Sequence, residues 1–389
     1  MILDHLWIAA LSFLTVITSL TPLAWIWIVH KRAVTLHRLE KLERVCGEAS
    51  PLVSAIIPGR NVAGWVEKCL STLLEQRGVR IEVIFVDDES EDGTGRIVLE
   101  RFLKRGVKYV RVGAPPSGWL GKNWACWRGF LHASGEWLLF LDADTVFFDE
   151  CVVADALDRC GEGLDALSLI PRLDTGSISS KIMLPLLQNI LLSLFSPARS
   201  NDPQDPRAIL FGAFILVRRR VYLEVGGHKA VRGRILEDRA LASLLKSGGY
   251  RIRLLDGSDR FGAEYAGSLA GYVAAIKRLV ADYSMTHSLA NMKYYITGAA
   301  ILFLLPLVVL IAASIYGDPP LAILAAASIV INVAANYLEL RRLRLEYAPL
   351  YAPLTVLANW VLVAALIEAY ISFRSGRLGL TWRGRRIDV

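Results

Sequence analysis

Four stretches of this 389-residue chain contain no Asp, Glu, Lys or Arg: 6–29, 294–317, 319–338 and 347–367. Each is close to the ~20 apolar residues a helix needs to cross a bilayer core. With hydrophobic residues at 54% of the chain, a wholly solvated or disordered protein is excluded. The stretch at 6–29 exceeds the length of a signal-peptide core and has Asp4 and His5 before it instead of a basic segment, so it reads as an uncleaved anchor.

The formal charge of +7 comes from 44 basic and 37 acidic residues, and the cations gather beside the apolar stretches. Lys31, Arg32, Arg38, Lys41 and Arg44 follow the first. Arg341, Arg342 and Arg344 follow the third, and Arg374, Arg377, Arg383, Arg385 and Arg386 follow the fourth. That is the positive-inside pattern, with attraction to anionic headgroups. No recognition motif accompanies the charge, which argues against a nucleic-acid partner. The five cysteines are odd in number and lack a Cys-x-x-Cys pair, so reduced thiols in a cytosolic domain are the expectation.

The expected organisation is an anchor at 1–30, a juxtamembrane linker at 31–50, a cytosolic domain at 51–292, a transmembrane region at 293–373 and a basic tail at 374–389. Three crossings after the domain would leave the tail outside, against its five arginines. A re-entrant 347–373, with Pro349 and Pro353, would keep it inside. The length of that segment and Glu368 near its end favour three crossings. The run at 181–196 is too short to span comfortably and predicts a helix in the membrane interface, a buried core helix being the alternative.

Within 51–292, short β-branched runs at 52–58, 81–86 and 108–112 and an apolar run at 136–141 read as strands. Helical segments at 62–76, 89–105 and 125–133 alternate with them, which implies β-α-β units and a mostly parallel sheet. In such sheets ligands bind beyond the carboxyl ends of the strands. Asp87 and Asp88 follow the second strand, where they could accept hydrogen bonds from a base or a ribose, or cap the next helix. Asp142-Ala-Asp144 follows another strand and offers hard oxygen ligands to Mg²⁺ or Mn²⁺. Glu237-Asp238 opens a helix, as an N-cap or as a general base. Lys122, in the glycine-containing turn at 118–122, could meet phosphate, and Trp382-Arg-Gly-Arg385 could be an interfacial anchor.

In this order the motifs resemble the family-2 inverting glycosyltransferases of the GT-A fold. The resemblance runs over 53–257: Ser54-Ala-Ile-Ile-Pro58 with Arg60 and Asn61, Asp87-Asp88-x-Ser90 with Asp92 and Thr94, Asp142-Ala-Asp144, the segment 212–227, and Glu237-Asp238. Gly121-Lys-Asn-Trp-Ala125 and the tail at 382–385 are similar to the membrane-bound, lipid-modifying branch, which includes ceramide glucosyltransferase and the carotenoid- and hopanoid-associated glycosyltransferases. The resemblance implies a GT-A (Rossmann-like, mostly parallel) catalytic domain between N-terminal and C-terminal transmembrane helices, in a multi-pass protein of the cell membrane with the domain cytoplasmic.

It also implies residue roles. Pro58, Arg60, Asp87 and Asp88 would line the nucleotide pocket and Lys122 would reach the donor. Asp142 and Asp144 would hold donor and metal, and Asp238 would be the base. Val62 stands where the family has an acidic residue, and the Gln/Arg-x-x-Arg-Trp motif is absent. Lys277 and Arg278 would substitute as pyrophosphate cations, with Trp382 and Arg383 also on the donor side. The implied activity is transfer of a single sugar from a nucleotide-diphosphate sugar, a UDP-hexose for preference, to a lipid hydroxyl. The alternative is a polyprenyl-phosphate sugar transferase.

Overall fold

The computed structural model describes residues 40–46, 49–173, 176–194, 197–263, 267–286, 289–342, 348–375, 380–382 and 385–387, with isolated positions before residue 40. The expected anchor at 1–30 therefore lies outside the described residues, apart from those isolated positions.

A seven-stranded sheet carries the domain, in the order β3-β2-β1-β4-β8-β6-β9. Its strands are β1 (Ala49–Gly59), β2 (Val79–Asp88), β3 (Lys108–Val112), β4 (Trp137–Phe140), β6 (Ala166–Ile170), β8 (Ile215–Arg218) and β9 (Ile252–Asp256). β8 runs antiparallel to both neighbours; the other pairings are parallel. Val53, Ala55, Ile56 and Ile57 are all fully buried, as expected of a central strand covered on both faces. A smaller sheet joins β5 (Thr145–Phe147), β10 (Phe261–Ala263) and β7 (Arg172–Leu173).

Helices α1 (Val66–Leu74), α2 (Thr94–Arg101), α3 (Gly121–Phe130) and α4 (Val152–Gly161) make the crossovers. In α1, Val66, Cys69, Leu70 and Leu73 recur at i, i+3, i+4 and i+7 and are buried, so one stripe packs on the sheet. The second helical segment starts later than the sequence predicts, because Gly93, at φ 92°, holds the left-handed conformation just before Thr94. α3 starts earlier than predicted. The amide nitrogen Nδ2 of buried Asn123 donates to the carbonyls of Val231 (2.7 Å), Arg232 (3.1 Å) and Arg234 (3.0 Å). That contact fixes the loop leading into α6 (Glu237–Ser247), the helix that carries Asp238.

The thiols depart from expectation. Cys46 and Cys151 are joined in a disulfide with their Cα atoms 5.2 Å apart, while Cys69, Cys126 and Cys160 are buried and free. The spacing of Cys46 and Cys151 in the sequence gives no sign of the pairing; the fold brings them together. Asp155 accepts from the backbone N–H groups of Val45 (3.1 Å) and Cys46 (2.6 Å), so the segment 40–46 is laid against the start of α4.

Two further helices, α5 (Ile178–Leu194) and α7 (Leu269–Thr286), lie between the sheet domain and an apolar group of helices. That group comprises α8 (Leu289–Phe303), α9 (Leu305–Tyr316), α10 (Pro319–Arg342) and α11 (Thr355–Arg374). Met183, Leu186 and Leu187 of α5, Tyr272 and Ile276 of α7, and Ala358, Leu362 and Val363 of α11 form one core. Among the described residues two helices, Pro319–Leu338 within α10 and Thr355–Arg374, are long and apolar enough to cross a membrane, and α8 with α9 forms a third candidate bent by 44°. The break falls at Leu304, just before Pro306, which cannot donate the backbone hydrogen bond of a continuous helix. A hairpin of β11 (Leu380–Trp382) and β12 (Arg385–Ile387) ends the described chain.

Candidate active site

The carboxyl ends of β1, β2 and β3 bound one half of the site. Register aligns Pro58 with Val86 and Gly59 with Asp87, so both strands end at one level. Asp87 and Asp88 are completely buried. One Asp87 oxygen accepts from Ser90 N (2.8 Å) and the other from the Tyr109 hydroxyl, so Asp87 braces this strand end. Burial, then the Asp87 carboxylate, push the Tyr109 phenol up to about 12. Asp92, one residue before the Gly93 N-cap, accepts from both the backbone N (3.0 Å) and the hydroxyl (2.6 Å) of Thr94 and so braces the turn into the helix. Arg60 donates to the Asp88 carbonyl (2.6 Å) and the Glu89 carbonyl (3.2 Å). Asn61 and Glu89 both sit at positive φ, 50° and 54°, a strain that concentrates at functional loops. Beside them opens a cleft of about 450 Å³ lined by Arg60, Glu89, Glu91, Arg111, Val112 and Gly113.

Asp88 meets a residue from the far end of the chain. The Arg385 guanidinium contacts both Asp88 oxygens at 2.7 Å and Glu89 at 2.7 Å. Burial raises the Asp88 carboxyl above the usual range, with Arg385 acting against that rise. Gly121 is required here: a Cβ would stand 2.6 Å from Asp88 Oδ2 and 2.7 Å from Arg385 Nη1.

The other half centres on Gly212. A Cβ there would lie 2.9 Å from Lys122 Nζ, 3.2 Å from Asp142 Oδ2 and 3.6 Å from Asp238 Oδ2. Residues from α3, the turn after β4 and the start of α6 thus converge on one point. Lys122 binds Asp142 Oδ1 and Glu237 Oε1, each at 2.6 Å. Burial works against its charge, but Asp142, Glu237 and Asp238 outweigh burial and hold the ammonium well above its ordinary value. Asp238 accepts from Gly212 N (3.2 Å) and Arg239 N (2.7 Å). Burial, and then the adjacent Glu237 charge, raise Asp238 to about 7.

The remaining expected residues lie elsewhere. Lys277 is on α7 and pairs with Glu368 at 2.5 Å, with Arg278 half-buried beside it. Trp382 ends β11, and Arg383 lies outside the described residues. Three contributors were not singled out from the sequence: Glu237 as partner of Lys122, Gly212 as the space the charged groups share, and Arg385 as partner of Asp88. The Glu237-Asp238 doublet signalled the first.

Asp142 and Asp144 suit a cation by donor chemistry, since Mg²⁺ is commonly held by one or two carboxylates plus substrate phosphates. Among the described residues no group of three or more His, Cys, Asp or Glu side chains is arranged to hold a metal ion. The fit is thus to a shared site, with a diphosphate supplying the other ligands.

Residues 54–226 match the model of Glycosyl transferase family 2. The stretch 54–226 is thus similar to glycosyltransferase family 2. The chain is 26% identical over 201 residues to the 4,4'-diaponeurosporenoate glycosyltransferase of Staphylococcus haemolyticus, a match covering 50% of the chain and 52% of the relative. The protein of that name from Staphylococcus aureus (strain USA300) is 26% identical over 213 residues, 53% of the chain and 54% of the relative. The chain spans about half the length of the curated relatives it matches. Among solved structures, a mannosyltransferase from Pyrobaculum calidifontis in complex with GDP-Man and Mn²⁺ is similar at a TM-score of 0.52 and 19% identity, over 93% of this chain and 98% of that one. The chain therefore has a GT-A-like fold, here a mixed, mostly parallel sheet followed by apolar helices.

Proposed function

We propose that the chain is a membrane-bound inverting glycosyltransferase that moves one sugar from a nucleotide-diphosphate sugar to a lipid hydroxyl, with a UDP-hexose as donor and the catalytic domain on the cytoplasmic side. The observation that carries this reading is the meeting of Lys122, Asp142 and Asp238 at Gly212, with Asp238 raised to about 7. A base is most effective when its pKa lies near the working pH. The relatives' name, a glycosyltransferase acting on a carotenoid acid, supports a lipid-like acceptor.

In this mechanism Asp238 takes the proton of the acceptor hydroxyl. The freed oxygen attacks the anomeric carbon while the bond to the diphosphate breaks on the opposite face, which inverts the centre through an oxocarbenium-like state. Asp88 and the cleft beside Arg60 and Arg111 receive the nucleoside. Lys122 keeps a fixed positive charge where the leaving diphosphate gains negative charge. Asp142 and Asp144 would hold a divalent cation, whose contribution is Lewis-acid neutralisation of that diphosphate.

The test is incubation of membranes containing the protein with a panel of radiolabelled UDP- and GDP-sugars, followed by lipid extraction and mass analysis. Label in a glycosylated lipid hydroxyl is expected. Label only in a polyprenyl phosphate, unaffected by Asp238→Asn, would overturn the reading, because a phosphate acceptor needs no strong base.

A further inference from the structure

We propose that α11 does not cross the membrane but lies along its surface beneath the catalytic domain, so that the α8–α9 limb and α10 form the crossing hairpin. The proposal rests on the membrane-bound reading above and deepens it by naming the face that meets the lipid.

Both ends of α11 are tied to elements docked on the domain. At its start, the Tyr351 ring receives the Lys181 ammonium at 5.2 Å. Lys181 stands at the beginning of α5, where the Ser179 hydroxyl donates to the Gly267 carbonyl (3.4 Å) ahead of α7. Near its end, Glu368 pairs with Lys277 of α7 at 2.5 Å. α7 is itself held to the domain, because its fully buried Asp282 accepts from Arg239 (3.0 Å), next to the proposed base, and from Arg234 (3.4 Å). A helix of this length extends ~30 Å. Set upright, it would carry one end across the whole hydrocarbon layer and away from these partners.

The tail gives the same answer independently. Arg385 lies eleven residues beyond Arg374 and contacts Asp88 inside the domain at 2.7 Å. An upright α11 would oblige this arginine-rich segment to return through the lipid, where each central arginine is costly. With α11 in the plane, Arg341, Arg342, Arg374 and Arg385 share the domain's side, which satisfies the positive-inside pattern.

The faces of α11 agree. Ala358, Leu362, Val363, Ala365 and Ala369 are buried among side chains of α5, α7, α8 and α10, whereas Leu357 and Ile371 are 46% and 59% exposed. One side is covered by protein and the other is left for acyl chains, so the helix needs no polar stripe. At its start, Asn336 of α10 donates to the Thr355 hydroxyl (2.7 Å) and Asn359 to Asn332 (3.0 Å), which pins the first turn of α11 to the second half of α10.

The experiment places single added cysteines in the full chain as Lys68→Cys in the domain, Tyr316→Cys at the hairpin tip and Ser375→Cys after α11. Sealed vesicles are treated with a membrane-impermeant maleimide, with the unsubstituted chain as control. Ser375→Cys is expected to label from the same side as Lys68→Cys, with Tyr316→Cys labelling from the opposite side. If Ser375→Cys labels with Tyr316→Cys, α11 crosses and the proposal fails. If all three label from one side while the protein stays in the membrane, the hairpin does not cross and the proposal also fails. Release of the chain by alkaline carbonate would instead sink the membrane reading itself.

Discussion

Arg385 and Asp88 stand 297 residues apart in sequence and meet through two contacts of 2.7 Å. Asp88 is fully buried and the arginine side chain is 19% exposed, so the pair is a desolvated contact and not a surface ornament. Removing one partner of such a pair leaves a buried charge without compensation.

Arg385→Ala is therefore expected to lower stability by about 1–3 kcal/mol, discounted from a full buried-pair loss because Asp88 can take up a proton. The carboxyl is already raised by burial, so the deficit shrinks as pH falls and protonation removes the charge. Asp88→Asn in the same chain should restore most of the stability while nucleotide binding stays weak. Melting curves and nucleotide titrations of the single and double variants check this.

In the proposed mechanism Asp238 would act as a base only when deprotonated, and burial with the adjacent Glu237 raises it to about 7. Expected kcat/KM climbs as pH rises through about 7 and levels above it. Asp238→Asn should abolish that climb and cost ~10²–10⁴ in rate. The folded state holds this proton more tightly than the unfolded chain, so its stabilising effect is complete in acid and is lost as pH rises through 7. The Asn variant should melt above the parent at pH 8 and alongside it in acid. A flat pH–rate profile in the parent would remove Asp238 from the mechanism.

Gly212 has room for hydrogen but not for a methyl group, which would sit 2.9 Å from Lys122 Nζ and 3.2 Å from Asp142 Oδ2. The tip of Lys122 can move, so Gly212→Ala should fold with stability near that of the parent, within about 1 kcal/mol. Displacing the charged groups by a fraction of an ångström should still lower kcat/KM by ~10²-fold. Activity that survived intact would mean that the space beside Gly212 is not used by donor or acceptor.

Much of this architecture was legible because it depends on local pattern. The apolar runs of β1 and β2 end in residues that suit a ligand, and Asp142-Ala-Asp144 stands out by its place after β4. What stayed hidden depends on distant chain segments meeting. Arg385 belongs to the tail expected on the donor side, but nothing local points its guanidinium at Asp88. Lys277 was equally basic, yet it pairs with Glu368. Helix α3 begins before its predicted start because Asn123 finds three carbonyls more than a hundred residues away.

Cys46 and Cys151 are 105 positions apart, and connectivity of this kind cannot be deduced from cysteine spacing. A crosslink over so long a loop restricts the unfolded chain by up to ~4–5 kcal/mol in the chain-entropy model, with smaller values common in practice. Reduction, or Cys46→Ser, is expected to lower the melting temperature by several degrees. Catalysis at moderate temperature should persist, because the bond ties the segment 40–46 to α4 and neither cysteine contacts Asp88, Asp142 or Asp238. Disulfides are unusual in a reducing cytosol outside hyperthermophiles, so the state of the pair in native membranes also reports the chemistry of its compartment. The measurement is thiol alkylation with mass analysis before and after reduction, paired with melting curves. An unchanged melt after complete reduction would show that Asp155 and its backbone contacts hold this segment without the bond.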